Sequence, residues 1–254
     1  MMRYLFTRQG IQLLEELKNR RTLYAFDFDG TLCPIVSDPL NATLAPSSAE
    51  LLSSLAQVVP VAVISGRSIN DLHSRITCEN IHLIGNHGAE GPTSKRDLSP
   101  STQICKEWTR LLSENESFKE IEAGVLIENK GISMTVHYRS CANQSRAKGK
   151  ILECVSNLHP VPRLVLGKCV VNLLPMGSPH KGDALREIMI QHNCDRALFV
   201  GDDVTDEDVF NMNDDRVLSV RVSQSETSAA PYFLKNQAEV AQLLKVIQSF
   251  YHQP

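Results

Sequence analysis

Residues 23–28 form a short apolar run that ends in two carboxylates two positions apart, Asp27 and Asp29, followed by the turn pair Gly30-Thr31. No other stretch restricts the fold as much. The run reads as a buried strand, and side chains two apart on a strand point to the same side. Asp27 and Asp29 therefore face one site just past the strand's carboxyl end. Two acids held together repel unless a cation lies between them, and their surroundings then give them different chemistry. A strand that merely runs into an acidic turn is the plainer reading, and the rest of the chain decides between the two.

The pattern around this strand is repetitive. Apolar residues at helical spacing predict a lead-in helix over 9–20, and the irregular, proline-containing stretch 33–46 reads as a loop. Ser47 and Glu50 have capping-box spacing for a helix running to about Val58, and Ser68 caps another to about Ile76. Short buried strands are expected at 61–64, stopping at Ser65-Gly66-Arg67, and at 81–84, stopping at Gly85-Asn86-His87. Strands alternating with helices at this spacing imply βαβ units and a parallel sheet.

Past Gly91 the rhythm changes. A helix over 102–113, a hairpin of 122–128 and 132–139, a helix over 144–158, and strands at 163–166 and 169–174 are expected. Along 132–139, Ser133, Thr135, His137 and Arg139 alternate with Ile132, Met134, Val136 and Tyr138, the pattern of an antiparallel sheet with one polar face. The parallel rhythm then resumes. A helix opens at His180-Lys181, a strand at 197–200 runs into the acidic stretch 202–208, and a strand at 217–222 and a helix at 238–251 close the chain. The expected fold is α/β: a Rossmann-like parallel sheet core of residues 1–91 and 178–254, with an inserted α+β domain of residues 92–177. Connections near Gly91-Pro92 and from Pro175 to Gly177 are the expected hinges.

Composition narrows the function. The formal net charge of −3 is spread along the chain, which excludes a basic nucleic-acid footprint and a polybasic membrane patch. The seven cysteines are dispersed and lack any C-x-x-C pair, so reduced thiols are expected rather than a disulfide framework or a zinc site. Arg3, Arg8, Glu15 and Glu16 interrupt the amino-terminal stretch, which is not an apolar leader. A cytoplasmic location is expected, with no membrane association.

Four segments with reactive residues each follow a strand or open a helix, on the edge where open parallel sheets bind ligands. Each has an ordinary reading. Ser65-Gly66-Arg67 could be a β-to-α turn, Lys181 a solvated helix residue, and the 202–208 acids partners for a helix dipole. Their joint order speaks against chance. D-x-D-G-T at Asp27, S-G-R at Ser65, Lys181, and G-D-D-x-T-D-E at Gly201 resemble the haloacid dehalogenase-type phosphatase superfamily across the whole chain. The insertion resembles the α+β cap of its sugar-phosphatase branch. Gly85-Asn86-His87-Gly88-Ala89-Glu90, Glu128-x-Lys130-x-x-Ser133-x-x-x-His137-Tyr138-Arg139 and Pro175-x-Gly177-x-x-x-Lys181 are similar, more narrowly, to trehalose-6-phosphate phosphatases.

The resemblance implies a set of roles. Asp27 would be the nucleophile that forms an aspartyl-phosphate, and Asp29 the general acid and base. Ser65 and Lys181 would hold the phosphoryl oxygens. Mg²⁺ would be bound by Asp27, the Asp29 carbonyl and Asp202, with Asp203 and Asp206 in support. Arg67, His87, Glu128, Lys130, Ser133, His137, Arg139 and Asn172 would contact the substrate. Asn172 stands where the family usually has Glu, and Leu174 where a basic residue is common. The implied reaction is Mg²⁺-dependent hydrolysis of trehalose 6-phosphate. Another disaccharide or glycosyl phosphate, or a sugar phosphomutase reaction, would use the same acids. A non-catalytic phospho-Asp signalling module is the remote alternative, since receiver domains place their lysine last. The expected partner is a small-molecule sugar phosphate, with a trehalose-phosphate synthase of the same pathway as a further candidate.

Overall fold

The computed structural model describes residues 2–36, 38–91, 97–121 and 124–251. Pro92 and Glu122, where a hinge and a strand were expected to begin, lie outside the described residues. In chain order the elements are β1 (Arg3–Tyr4), α1 (Arg8–Lys18), β2 (Thr22–Phe26), α2 (Pro46–Ala56), β3 (Val61–Ile64), α3 (Ile69–Arg75) and β4 (Ile81–Ile84). Next come α4 (Ser99–Glu114), α5 (Glu116–Lys119), β5 (Leu126–Asn129), β6 (Met134–His137), α6 (Gln144–Ser156), β7 (Arg163–Gly167) and β8 (Val170–Leu174). The last are α7 (Lys181–Gln191), β9 (Arg196–Gly201), α8 (Glu207–Phe210), β10 (Val217–Val222), β11 (Tyr232–Leu234) and α9 (Ala238–Tyr251). They divide into two compact units, Met1–Ser94 with Pro179–Pro254, and Lys95–Ser178.

The first unit is built on a seven-stranded sheet in the order β1-β11-β10-β9-β2-β3-β4, with every pairing parallel. Strand β2 is buried along its whole length, and alternate residues serve opposite faces. Tyr24 and Phe26 join a core with Leu14 and Leu17 of α1, Leu52 and Leu55 of α2, and Leu243 and Ile247 of α9. Leu23 and Ala25 join a second core with Leu185 and Ile188 of α7 and Val209 and Phe210 of α8. The sheet is therefore covered on both sides, which is why its strands are continuous apolar runs. The chain leaves β2 for β3 on one side and returns as β9 on the other. That reversal puts the carboxyl end of β2 at the place where open parallel sheets bind ligands.

Two strands were not anticipated, β1 and β11. They have two and three residues, too few to show a period, and they exist through pairing at the sheet edge, with the Arg3 and Leu5 amides donating to the Pro231 and Phe233 carbonyls at 2.9 Å. The expected capping box at Ser47 and Glu50 is replaced by another start. Ala45 is the cap residue, and Pro46 occupies the first helical turn, where its missing N–H costs no hydrogen bond. Ser68 caps α3 as expected, its hydroxyl accepting from the Asp71 amide at 3.3 Å.

The second unit is a four-stranded antiparallel sheet in the order β5-β6-β8-β7. Met134 and Val136 of β6 and Val171 and Leu173 of β8 share a core with Trp108 of α4 and Ile151 and Val155 of α6. The Trp108 indole N–H donates to the Pro160 carbonyl at 2.9 Å, satisfying its one polar atom. Strand β6 is shorter than the alternation suggested, and Ser133 and Thr135 are buried rather than open to water. Thr135 lies mid-sheet between Glu128 of β5 and Asn172 of β8, and its hydroxyl is used there. All seven cysteines are free, five of them buried. No helix among the described residues is long and apolar enough to cross a membrane.

Candidate active site

Asp27 follows β2 directly, its amide donating to the Val200 carbonyl of β9 at 2.8 Å, so the sheet ladder holds it to the last residue. Lys181 opens α7, the helix packed on the Leu23–Ala25 face of β2, with His180 and Asp183 forming a reciprocal cap at its start. The lysine is buried, and its Nζ donates to Asp27 Oδ1 at 2.7 Å and to Asp206 Oδ1 at 2.8 Å. The other oxygen of Asp206 accepts the Asp202 and Asp203 amides at 2.8 and 2.9 Å, which pins the turn after β9. Two glycines make room for this packing. A Cβ on Gly30, whose φ is +87°, would lie 2.3 Å from the Asp202 carboxylate, and one on Gly201 would lie 2.2 Å from Asp206 Cγ.

Electrostatically the cluster is one cation against three buried acids. Burial alone would lower the Lys181 pKa, but Asp206 and Asp27 outweigh it and hold the ammonium charged. Burial pushes the Asp27 carboxyl well above its ordinary range; Lys181 opposes the shift, and the nearby Asp206 and Asp202 add to it. This surplus of negative charge is what a divalent ion relieves. Asp27, Asp202 and Asp206 offer oxygens that all lie within 4.8 Å of one another, an all-oxygen donor set that suits a hard cation. Asp203, expected in support, stands outside that group and opens the turn Val204–Asp206.

The other sequence-selected residues of this unit form a second chain of contacts. Arg67 grips Asp29 with a fork, Nε to Oδ2 at 2.6 Å and Nη2 to Oδ1 at 2.7 Å. Its backbone amide donates to Ser65 Oγ at 3.2 Å, and the Ser65 carbonyl accepts the His87 amide at 2.9 Å. His87 and the preceding Asn86 have φ of +58° and +45°, a conformation uncommon for side-chain-bearing residues. It stacks the His87 ring against Gly66, where a Cβ would come within 2.5 Å of Cε1. Arg67, assigned to the substrate by resemblance, thus faces the acid–base candidate.

In the second unit, Glu128 Oε2 lies 2.8 Å from His137 Nε2 and 3.9 Å from Lys130 Nζ. The Lys130 amide donates to the Ser133 carbonyl at 2.9 Å. Asn172 is 8% exposed; its Oδ1 accepts from Thr135 Oγ1 at 2.8 Å and its Nδ2 donates to the Val165 carbonyl at 3.2 Å. Arg139 stands apart past the end of β6, with Nη2 donating to the Lys168 carbonyl at 3.1 Å. The sequence reading passed over Asp71 and Arg75, whose spacing of four and eight residues from Arg67 was a visible signal. It also passed over Gln237, which donates to the Thr31 and Leu32 carbonyls at 3.0 and 3.2 Å from the far side of the chain. Nothing local announces that contact.

The strand order, with the acidic pair at its reversal and the lysine arriving after the inserted unit, agrees with the haloacid dehalogenase-type class that the matching family model implies. Within that class the chain belongs to the trehalose-phosphatase family, whose model matches residues 25–238. It is 30% identical over 249 residues to the trehalose-phosphate phosphatase of Mycobacterium tuberculosis, covering 92% of this chain and 63% of that one. It is 33% identical over 213 residues to an uncharacterized glycosyl hydrolase of the same organism, covering 79% of this chain and 16% of that one. The chain therefore spans less than two thirds of either relative. Its fold is similar to that of the C. albicans trehalose-6-phosphate phosphatase C-terminal domain, with a TM-score of 0.75 at 23% identity, covering 94% of this chain and 97% of that one.

Proposed function

We propose that this chain is a Mg²⁺-dependent phosphatase that hydrolyses trehalose 6-phosphate to trehalose and inorganic phosphate. The observation that carries the reading is the buried Lys181 bridging Asp27 and Asp206 at the end of β2, in a member of the trehalose-phosphatase family. An oxygen of Asp27 attacks phosphorus, the bond from phosphorus to the sugar oxygen breaks, and Asp29 gives that oxygen its proton. A water then attacks the aspartyl-phosphate and passes a proton to Asp29. The bond from phosphorus to Asp27 breaks, and phosphate leaves with both acids restored. Lys181 steadies Asp27 and the charge gathering on the phosphoryl oxygens, and Ser65 holds a phosphoryl oxygen beside it. Asp27, Asp202 and the Asp29 carbonyl would hold the Mg²⁺, with Asp206 fixing the turn that carries Asp202; when bound, the ion offsets repulsion between an anionic nucleophile and an anionic phosphate.

In this reading the first unit does the chemistry and the second, the cap, chooses the sugar through Glu128, Lys130, Ser133, His137 and Asn172. The protein would act in the cytoplasm on a product of a trehalose-phosphate synthase. Asn172 favours one alternative. Its amide is engaged by Thr135 and the Val165 carbonyl, so a neutral group stands where an acid is usual, which suits a related glycosyl phosphate.

The test is phosphate release with Mg²⁺ from trehalose 6-phosphate, sucrose 6-phosphate, glucose 6-phosphate and glucosylglycerol phosphate. Trehalose 6-phosphate should lead, chelation should stop the reaction, and added Mg²⁺ should restore it. Asp27→Asn keeps an acceptor for Lys181 and should remain folded without releasing phosphate. Wild-type turnover by that variant would sink the mechanism, whereas preference for another sugar would move only the substrate.

A further inference from the structure

Asp29 lies on the turn after β2 with its side chain 40% exposed, and the turn's own contact to it, the Cys33 thiol 3.9 Å from Oδ1, is too weak a hydrogen bond to do much to orient the carboxylate. The Arg67 fork does. It takes one acceptor position on each oxygen and fixes the carboxylate plane, with the Cys33 thiol as a weak third donor to Oδ1, so that Oδ2 carries the free acceptor position. A fork is placed only as well as the arginine that carries it. The remaining arm of Arg67, Nη1, donates to Asp71 Oδ2 at 2.6 Å. Asp71 is bracketed from the other side by Arg75, whose Nε lies 3.0 Å from both of its oxygens and whose Nη2 lies 2.9 Å from Oδ1. Arg75 is anchored in turn by Nη1, which donates to the Leu40 carbonyl at 3.1 Å and to the Ala42 carbonyl.

The result is a ladder of alternating charge, Arg75–Asp71–Arg67–Asp29, from the loop around Leu40 to the site. Three of its four members, Arg67, Asp71 and Arg75, recur every four residues and so share one face of α3 and its approach. Exposed pairs at this spacing do little for stability. Here the Arg67 and Arg75 side chains are only 12% and 9% exposed, and the ladder ends on a group at the reacting centre rather than in solvent.

We infer that Asp71 and Arg75 are positioning residues for Asp29, holding the Arg67 fork and through it the plane of the Asp29 carboxylate. The inference rests on the reading of Asp29 as acid and base in a phosphatase, and it has a consequence that a purely structural role lacks. A residue that acts through proton transfer matters in proportion to the leaving group's need for a proton. A sugar oxygen needs one, and p-nitrophenolate does not.

The experiment measures first-turnover release of trehalose from trehalose 6-phosphate and of p-nitrophenol from p-nitrophenyl phosphate, using the full chain with Mg²⁺. Asp71→Asn and Arg75→Gln should slow trehalose release by roughly 10–100-fold, a share of the ~10²–10⁴-fold that general acid–base catalysis supplies, while the p-nitrophenol burst stays within about threefold. KM should hold for both substrates. Asp29→Asn should show the same selectivity more strongly, and Asp71→Asn added to it should cost nothing further, because no acid remains to be positioned. If Asp71→Asn fails to fold by circular dichroism, Arg75→Lys, which keeps the charge and loses the fork, reads the same ratio. Equal slowing of both substrates, no slowing, or additive effects in the double variant would overturn the inference while leaving the phosphatase reading intact. A wild-type chain that turns over neither substrate would overturn both.

Discussion

At the scale of single residues, the site is held by charges that cannot be removed one at a time. Lys181 is the sole cation bonded to Asp27 and Asp206 among the described residues, and all three side chains are nearly out of water. Truncating one partner of such a cluster strands the others, which costs more than the pair contributes when complete. Lys181→Met preserves length and apolar bulk but leaves the acids facing each other. It should lower the unfolding free energy by about 3–5 kcal/mol in denaturant titration. A loss below about 1 kcal/mol, the range of exposed pairs, would mean that water reaches the cluster and screens its charges. Asp27, Asp29, Lys181 and Asp202 could all be picked out by residue type and spacing. The partner of Arg67 could not, because an arginine two residues past a strand is equally able to face a phosphate or a carboxylate. The fork to Asp29 is a tertiary choice.

At the scale of elements, β2, β3 and β9 and the helices between them were readable because each is an apolar run or a 3.6-residue pattern bounded by turn residues. The short edge strands β1 and β11 were not, since two or three residues carry no period and pairing alone makes them strands. Pairing between distant elements also creates a titrating contact. His82 on β4 and His192 just past α7 place their ring centroids 4.2 Å apart. Burial, helped by the neighbouring His192, lowers the His82 pKa from its ordinary 6.5. The unfolded chain then takes up a proton near pH 6.5 that the folded chain takes up only at lower pH. The stability from neutral His82 is fully present above about pH 6.5 and is lost as pH falls toward the lowered folded value. Unfolding midpoints taken from pH 7.5 to 5.5 should therefore fall, and His82→Phe should flatten that slope. An unchanged slope in the variant would assign the pH dependence elsewhere.

At the scale of the whole molecule, the two units have separate cores, one pair flanking the parallel sheet and one behind the antiparallel sheet. Trp108 is the largest side chain fully buried in the second unit. Trp108→Ala should cost about 3–5 kcal/mol there, by lost burial and by the cavity left behind. Hydrogen exchange should consequently accelerate in α4, β6 and α6 while β2, β3 and β9 keep their protection. Equal acceleration in both units would show that they unfold as one.

The sequence alone determined that a parallel α/β sheet would carry paired acids at its central strand end, with an antiparallel unit inserted between its halves. Those features are local: an apolar run, a two-residue spacing and a change of rhythm survive in the linear chain. Tertiary structure alone decided which charges meet. Lys181 reaches Asp27 across 154 positions of chain and Asp206 across 25, and Arg67 reaches Asp29 across 38. It also decided that the Asn172 side chain accepts from Thr135 and donates to Val165, neighbours that only the strand register supplies. The physical reason is the same in each case. Hydrogen-bond partners follow distance and direction in space, and those are set by how the sheet orders its strands and how α7 lies against them.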